Sequence, residues 1–330
     1  MTTRFPTTLS RALALASSAV VLASCGADEE PEQTGEEPLP APSASEFPEP
    51  GESLGELLAR VGETNEVVAA PSGGVFVPGQ SRFGFGLFDV AGPQIDDADV
   101  AVYAAEGASG KPQGPFPARV EDLSTQPAYT AESADEETDA TSVYVSDIPL
   151  DEPGEWRMVA VIREPSGEMS ATYFTTSVEV TEYPDIPAPG QQAPEVSTPT
   201  LDEVGDPTEI DTRVPPSTMH GDDLADVLGK QPVVLLFATP ALCQTRVCGP
   251  VVDVAEQVKA EYGDEAAFIH MEIYEDNVFD LENLRPQVKA YGLPSEPWLF
   301  VIDKEGEVKT RIEGAFSVEE LEDALEPLVG

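Results

Sequence analysis

The chain has 330 residues, with 62 Asp and Glu against 17 Lys and Arg, for a formal net charge of −45. That balance excludes nucleic acid, whose phosphates need clustered Lys and Arg, and equally excludes a polybasic membrane patch. Hydrophobic residues make up 41% of the chain, which is enough for real cores and, at this length, predicts two domains of ordinary size beneath a solvated acidic surface.

At the N-terminus, Arg4 and Arg11 form a short positive region ahead of an apolar, small-residue run from Ala12 to Ser24. The run is too short to span a bilayer and has the flanks of a signal peptide. Leu22-Ala23-Ser24-Cys25 resembles a bacterial lipobox, the alternative being an ordinary signal peptide with a stray cysteine. The resemblance implies that residues 1–24 are a lipoprotein signal peptide and that Cys25 is lipidated, anchoring the chain to the extracytoplasmic face of the cell membrane. Disulfides persist there. Of the three cysteines, Cys243 and Cys248 then remain as the only pair. Residues 25–52, rich in Pro, Glu and Ser, read as an acidic tether that cannot bury enough surface to offset its ordering entropy.

Leu54, Leu57, Leu58 and Val61 have helical spacing. From Glu66 to Thr181 the period changes to two: Phe83, Phe85 and Leu87 alternate, as do Val100 and Val102, Val143 and Val145, and Trp156 and Met158. Turn signals such as Pro78-Gly79, Ser109-Gly110 and Pro165-Ser166-Gly167 separate them, predicting an all-β sandwich over residues 53–182. The run Pro153-Gly154-Glu155-Trp156-Arg157-Met158 resembles the penultimate strand of extracellular immunoglobulin-like modules, in which a buried Trp follows a tight turn. Ser124 to Thr141 reads as an acidic, mobile loop, and nothing in this half suggests catalysis. Residues 183–199, opening with Tyr183-Pro184-Asp185-Ile186-Pro187, read as a linker.

Residues 200–330 alternate differently. A short helix at Asp222–Leu228 precedes a buried strand at Val233–Phe237, then the loop holding Cys243 and Cys248, and a helix from Val251 to Tyr262. A strand over Ala266–Ile273, a helix over about Leu281–Tyr291, strands at Trp298–Ile302 and Glu307–Ile312, and a helix at Val318–Leu328 complete the half. The order predicts two parallel strands joined by a helix, followed by a hairpin. His220 is expected to be exposed, and His270 to be a hydrogen-bonded core residue rather than a ligand.

Gln231 to Leu328 resembles the thioredoxin-like superfamily, and more loosely its membrane-tethered periplasmic oxidoreductases. The resemblance is carried by Phe237-Ala238-Thr239 ahead of Cys243, by Pro250-Val251-Val252-Asp253 after the cysteines, and by Tyr291-Gly292-Leu293-Pro294-Ser295-Glu296-Pro297-Trp298. Pro297 matches the family's cis-proline. The implied architecture is an immunoglobulin-like sandwich followed by an α/β thioredoxin-like domain. The implied activity is thiol–disulfide exchange without a cofactor, on cysteine-containing envelope or secreted proteins. Cys243 would be the nucleophile, Cys248 the resolving thiol, and Pro297, Glu296 and Arg246 would contact substrate.

The cysteine spacing departs from the family's C-x-x-C. With four residues between them, Cys243 and Cys248 can approach only if Cys243–Val247 is a loop and the helix starts near Gly249-Pro250. A second register, Cys248-Gly249-Pro250-Val251, resembles Cys-Gly-Pro-Cys with its last cysteine lost. Arg246 and the helix terminus favour a thiolate, whereas Glu272, Glu275, Asp276 and Glu296 oppose one. A structural disulfide in a binding domain, and a copper-handling chaperone of the same fold, are the alternatives. The copper-delivering relatives have a histidine where this chain has Ser295-Glu296-Pro297, and no metal ligand is assigned.

Overall fold

A computed structural model describes residues 40–134, 139–182, 185–243 and 245–330. The expected signal peptide over residues 1–24, Cys25 and most of the expected 25–52 tether lie outside those residues. Among the described residues, no helix is long and apolar enough to cross a membrane. The described end of the tether is not free: Phe47 is buried against the first helix, and Tyr103 donates its hydroxyl to the Pro48 carbonyl.

Helix α1 (Leu54–Val61) starts at Ser53, whose hydroxyl accepts from the Glu56 N–H, and buries Leu54, Leu57 and Leu58. Nine strands follow: β1 (Val67–Pro71), β2 (Val75–Phe76), β3 (Gly79–Asp89), β4 (Asp99–Glu106), β5 (Gln113–Asp122), β6 (Ser142–Leu150), β7 (Gly154–Arg163), β8 (Met169–Tyr173) and β9 (Val178–Val180). They pair in the order β1-β3-β6-β5-β4-β7-β9-β2, with β8 also on β7. Pairing therefore runs without a break through β5 and β4, where two separate sheets were expected. β1 is also joined to the segment that follows β8, because Thr175 donates to the Ala69 carbonyl at 3.0 Å and Phe174 bridges to Ala69.

Most of the alternating residues read from sequence form one core, with Phe83, Phe85, Leu87, Val100, Val102, Trp156 and Met158 packed around Tyr144, whereas Val143 and Val145 point to the opposite face. Trp156 is buried after the Gly154 turn, and its indole N–H donates to the Glu152 carbonyl at 2.9 Å. α1 covers the opposite face, over Ala101, Tyr103, Val159 and Val161.

The second half contains α2 (Leu224–Val227), β10 (Val233–Phe237), α3 (Cys248–Tyr262), β11 (Ala267–Met271), α4 (Pro286–Ala290), β12 (Trp298–Ile302), β13 (Val308–Glu313) and α5 (Val318–Leu325). The sheet order is β11-β10-β12-β13, with β10 parallel to β11 and β12–β13 an antiparallel hairpin. These are the two parallel strands followed by a hairpin that the order of elements in the sequence predicts. All five residues of β10 are buried, because α3 and α5 cover one face and α4 with Tyr291 covers the other. α4 is shorter than the helix expected over 281–291. Pro286 occupies its first turn, where a missing N–H costs nothing, and the residues before it take a turn.

The two halves share a core, with Leu123, Val143 and Val145 packing into the α3–α5 layer. The expected linker is built into the fold as well. Val308 donates to the Gln191 carbonyl at 2.8 Å, Ala193 donates to Gly306 at 2.9 Å, and Ile186 is buried. The 124–141 loop, expected to be mobile, is tied down where it is described. Ala131 N–H donates to Asp253 at 2.9 Å and Gln126 N–H to Gln257 at 2.7 Å, while Arg213 donates to the Tyr129 carbonyl at 2.6 Å. Gly314, at φ 87°, lies so close to β1's end that a Cβ there would sit 2.4 Å from the Ser72 carbonyl oxygen. Only glycine fits both constraints.

Arg82 on β3 donates two bonds to Glu320 on α5, at 2.7 and 2.6 Å, and one to the Ala315 carbonyl. The Glu320 side chain is 12% exposed and also takes Arg119 at 3.0 Å. Arg82→Ala would leave Glu320 half-paired in a dry contact. A loss of about 3 kcal/mol is expected, measured as a lowered urea midpoint.

A candidate thiol–disulfide site

The site forms where β10 ends. Ala238 still pairs with β11 through Met271, and Thr239 then becomes a branch point. Its N–H donates to Glu296 Oε2 at 2.8 Å, its hydroxyl accepts from the Ile273 N–H at 3.0 Å, and its carbonyl accepts from Leu242 and Cys243 at 3.2 and 3.0 Å. The chain leaves in a tight turn that carries Cys243 to the surface side of the loop. The helix begins at Cys248 itself, one residue ahead of the expected Gly249. Pro250 sits in the first turn, as expected.

Cys243 and Cys248 are joined in a disulfide with their Cα atoms 6.0 Å apart, inside the range such a bond requires. Cys243 is half-buried beside Thr245, whose hydroxyl is 3.2 Å from Sγ. Cys248 is fully buried at the N-terminus of α3, a helix end with no side-chain cap. The left-handed residue that lets the loop turn is Arg246, at φ 64°. Its carbonyl accepts from Ala140, and its guanidinium lies over the Phe88 ring at 5.8 Å. Arg246 is thus engaged with the β-rich half, a placement that sequence reasoning, which paired it with the thiolate, did not foresee.

Glu296 and Pro297 close the other side. The Glu296–Pro297 bond is cis and Pro297 is buried. Glu296 Oε2 is 3.6 Å from Cys248 Sγ, and Oε1 is 3.4 Å from the Tyr274 hydroxyl. Burial pushes the Glu296 carboxyl up to about 7 against the Thr239 N–H bond, and the charge of Glu272 pushes it the same way. Glu272 is buried as well, with Oε1 taking the N–H and hydroxyl of Thr212 at 2.7 and 2.8 Å. Glu275 is half-buried and Asp276 exposed in the turn beyond.

Behind the loop lies a buried cluster that sequence reasoning missed. His220, expected at the surface, is 1% exposed and its Nε2 is 2.8 Å from Asp211 Oδ2. His270 is the hydrogen-bonded core residue expected. Its Nε2 is 2.9 Å from the Ala238 carbonyl and its Nδ1 is 3.3 Å from the same Asp211 oxygen, with Ser217 Oγ 3.2 Å from both rings. Asp211 also accepts the N–H groups of Arg213 and Ser217, each at 2.7 Å. Among the described residues, two groups of side chains have ligand atoms within 4.8 Å of one another: Asp211 with His220 and His270, and Cys243 with Cys248 and Glu296. In the first, the facing atoms already bond one another. In the second, the sulfurs are joined. Nothing in the sequence flagged Asp211 or Ser217, which lie 59 and 53 residues from His270.

No protein-family model and no curated protein matches the chain. Among solved structures, it is similar to a putative thiol:disulfide interchange protein DsbE from Chlorobium tepidum, at 18% identity and TM-score 0.32, over 44% of this chain and 99% of that one. It is also similar to a thiol:disulfide interchange protein of the thioredoxin family from Chlorobium tepidum TLS, at 18% identity and TM-score 0.31, over 43% and 99%.

Desolvation opposes a charge on His270, but the Asp211 carboxylate outweighs it and the imidazole is raised to about 9; Asp211 is correspondingly lowered. A histidine raised above its unfolded value of about 6.5 contributes stability that is complete below that pH and is lost as pH rises through about 9. The urea midpoint of the wild-type chain is expected to fall between pH 7 and 10. His270→Gln is expected to be less stable at pH 7 and to lose that slope.

Proposed function

We propose that this chain is a lipid-anchored, extracytoplasmic thiol–disulfide exchange protein acting on cysteine-containing secreted or membrane proteins. The observation that carries the reading is the pair itself. One sulfur is half-exposed on a loop, and the other is buried at a helix N-terminus against a carboxyl that titrates near neutrality. The lipobox at Leu22–Cys25 supports the anchor, and the Pro-rich tether supplies reach. The β-rich half, in our reading an immunoglobulin-like module, acts as spacer and wall. The acidic surface suits basic or neutral partners.

In the reducing direction, the Cys243 thiolate attacks a partner disulfide, forming a mixed disulfide and releasing one partner thiolate. Cys248 then gives its proton to Glu296 and attacks Cys243 Sγ. The mixed disulfide breaks, and the second partner thiolate leaves. Two electrons pass from the dithiol to the partner, and the oxidising direction reverses each step. The N-terminus of α3 stabilises thiolate at Cys248, while Glu296 holds the proton that must leave. Pro297 with Glu296 forms one side of the docking position, and Arg246 the other.

One observation favours a second reading, a structural staple: Cys248 is fully buried and the loop is tied to Ala140. The two readings separate on trapping. Cys248→Ala is expected to accumulate mixed disulfides with envelope proteins through Cys243. A chain that traps none, with a reduction potential below about −300 mV, is a staple.

Glu296→Gln is expected to slow resolution of a preformed mixed disulfide about 100-fold and to remove its rise in rate through pH 7. Stopped-flow measurement between pH 5 and 9 checks both.

A further inference from the structure

Glu272 has no place in the exchange chemistry described so far, yet it is a carboxyl at 1% exposure beside the site. Its Oε1 is satisfied by Thr212, but Oε2 has no hydrogen-bond partner among the described residues. A buried carboxylate oxygen left alone costs free energy and calls for an explanation, and a proton on it removes the cost. Glu272 lies at the end of β11, and Glu296 just before β12. Thr239 stands between them: its N–H is bound to Glu296 at 2.8 Å, and its hydroxyl accepts at 3.0 Å from Ile273, the residue after Glu272. Burial favours the neutral form of each. The charge of Glu272 raises Glu296, and two carboxyls that repel one another strongly lose their protons in coupled steps.

We propose that Glu272 and Glu296 work as one proton-sharing pair across Thr239, with Glu272 the positioning residue that sets the pH at which Cys248 gives up its proton. This rests on the exchange reading above and deepens it. With Cys248 as a thiol, the pair holds one proton. When Cys248 attacks Cys243, its proton passes to the ionised member, the pair holds two, and the sulfur becomes the thiolate that breaks the mixed disulfide. The half-buried edge of Glu296 then returns one proton to solvent, and no electron enters or leaves beyond the thiol–disulfide exchange.

The charged and titratable groups facing the pair come from every packed element. His270 on β11 carries positive charge toward Glu272, with Asp211 behind it balancing that charge. Tyr274 offers its hydroxyl to Glu296, and Cys248 faces it from α3. His270 eases ionisation of Glu272, and an ionised Glu272 keeps Glu296 basic enough to accept a thiol proton.

The experiment is a carboxyl titration of the full chain labelled with 13C-glutamate, followed by NMR or infrared, in wild type, Glu272→Gln and Glu296→Gln. In wild type, two carboxyls are expected to titrate together, with the upper step near neutral pH. Glu272→Gln is expected to leave a single Glu296 transition at lower pH, and to move the pH midpoint of mixed-disulfide resolution the same way. Two independent wild-type transitions in the ordinary carboxylate range overturn the pair, even if a variant fails to fold. So does a Glu296 transition unmoved by Glu272→Gln. If the titration is coupled but Cys248→Ala traps nothing, the exchange reading fails while the pair stands. If trapping succeeds and the titration is uncoupled, the pair alone fails.

Discussion

The site depends on what one threonine does at the end of a buried strand. Thr239 follows five consecutive buried residues of β10 and is itself fully buried. Its three backbone and side-chain groups reach the Glu296 carboxyl, the start of the segment after β11, and the turn that carries Cys243. A residue with an apolar side chain could supply the N–H and carbonyl but would leave the Ile273 N–H unpaired in a dry interior. The disulfide loop, the cis-proline segment and the end of β11 are therefore held in one geometry by a single polar residue, which has no freedom to be anything but satisfied.

Charge is arranged around the same constraint. A chain with 62 acidic and 17 basic residues has few cations to place. Several of them stand at the contact between its two halves: Arg82 and Arg119 on Glu320, and Arg213 on Asp253 with the Tyr129 carbonyl. Acidic groups that face solvent need no partner. Those inside are paired with arginine, lysine or histidine or take hydrogen bonds from threonine, and burial favours the neutral form of Glu272 and Glu296. The buried imidazole of His270 also pins the Ala238 carbonyl, so the charge cluster fixes the position of the strand end as well as its electrostatics.

Much of the second half was legible in the residues. The unbroken apolar run Val233–Phe237 could only be a buried strand. Pro250 marked a helix start. The four-residue cysteine spacing correctly demanded a loop ahead of the helix. Helix length near Leu281 was overread because apolar spacing there does not reveal that the chain turns before Pro286. The period-two residues of the first half named buried positions correctly, although Val143 and Val145 face the helices of the second half rather than the β core. They were silent on whether β4 and β5 would pair, since pairing is a property of two strand edges and not of either strand's pattern.

What the sequence by itself determined was local: strand and helix type from apolar period, turns from glycine and proline, and a cysteine pair at a strand–helix junction. Tertiary structure alone decided which polar groups would be enclosed. His220 read as exposed because a histidine beside Gly221-Asp222 carries no mark of burial, and Asp211 lies nine residues away from it. Arg246 was assigned to the thiolate because it sits between the cysteines, yet the fold turns it onto Phe88. Burial and proton affinity arise from atoms distant in sequence that close over one another. The surroundings of Cys248 are therefore set by Thr239 and Glu296, which meet only when separate strand ends are brought together.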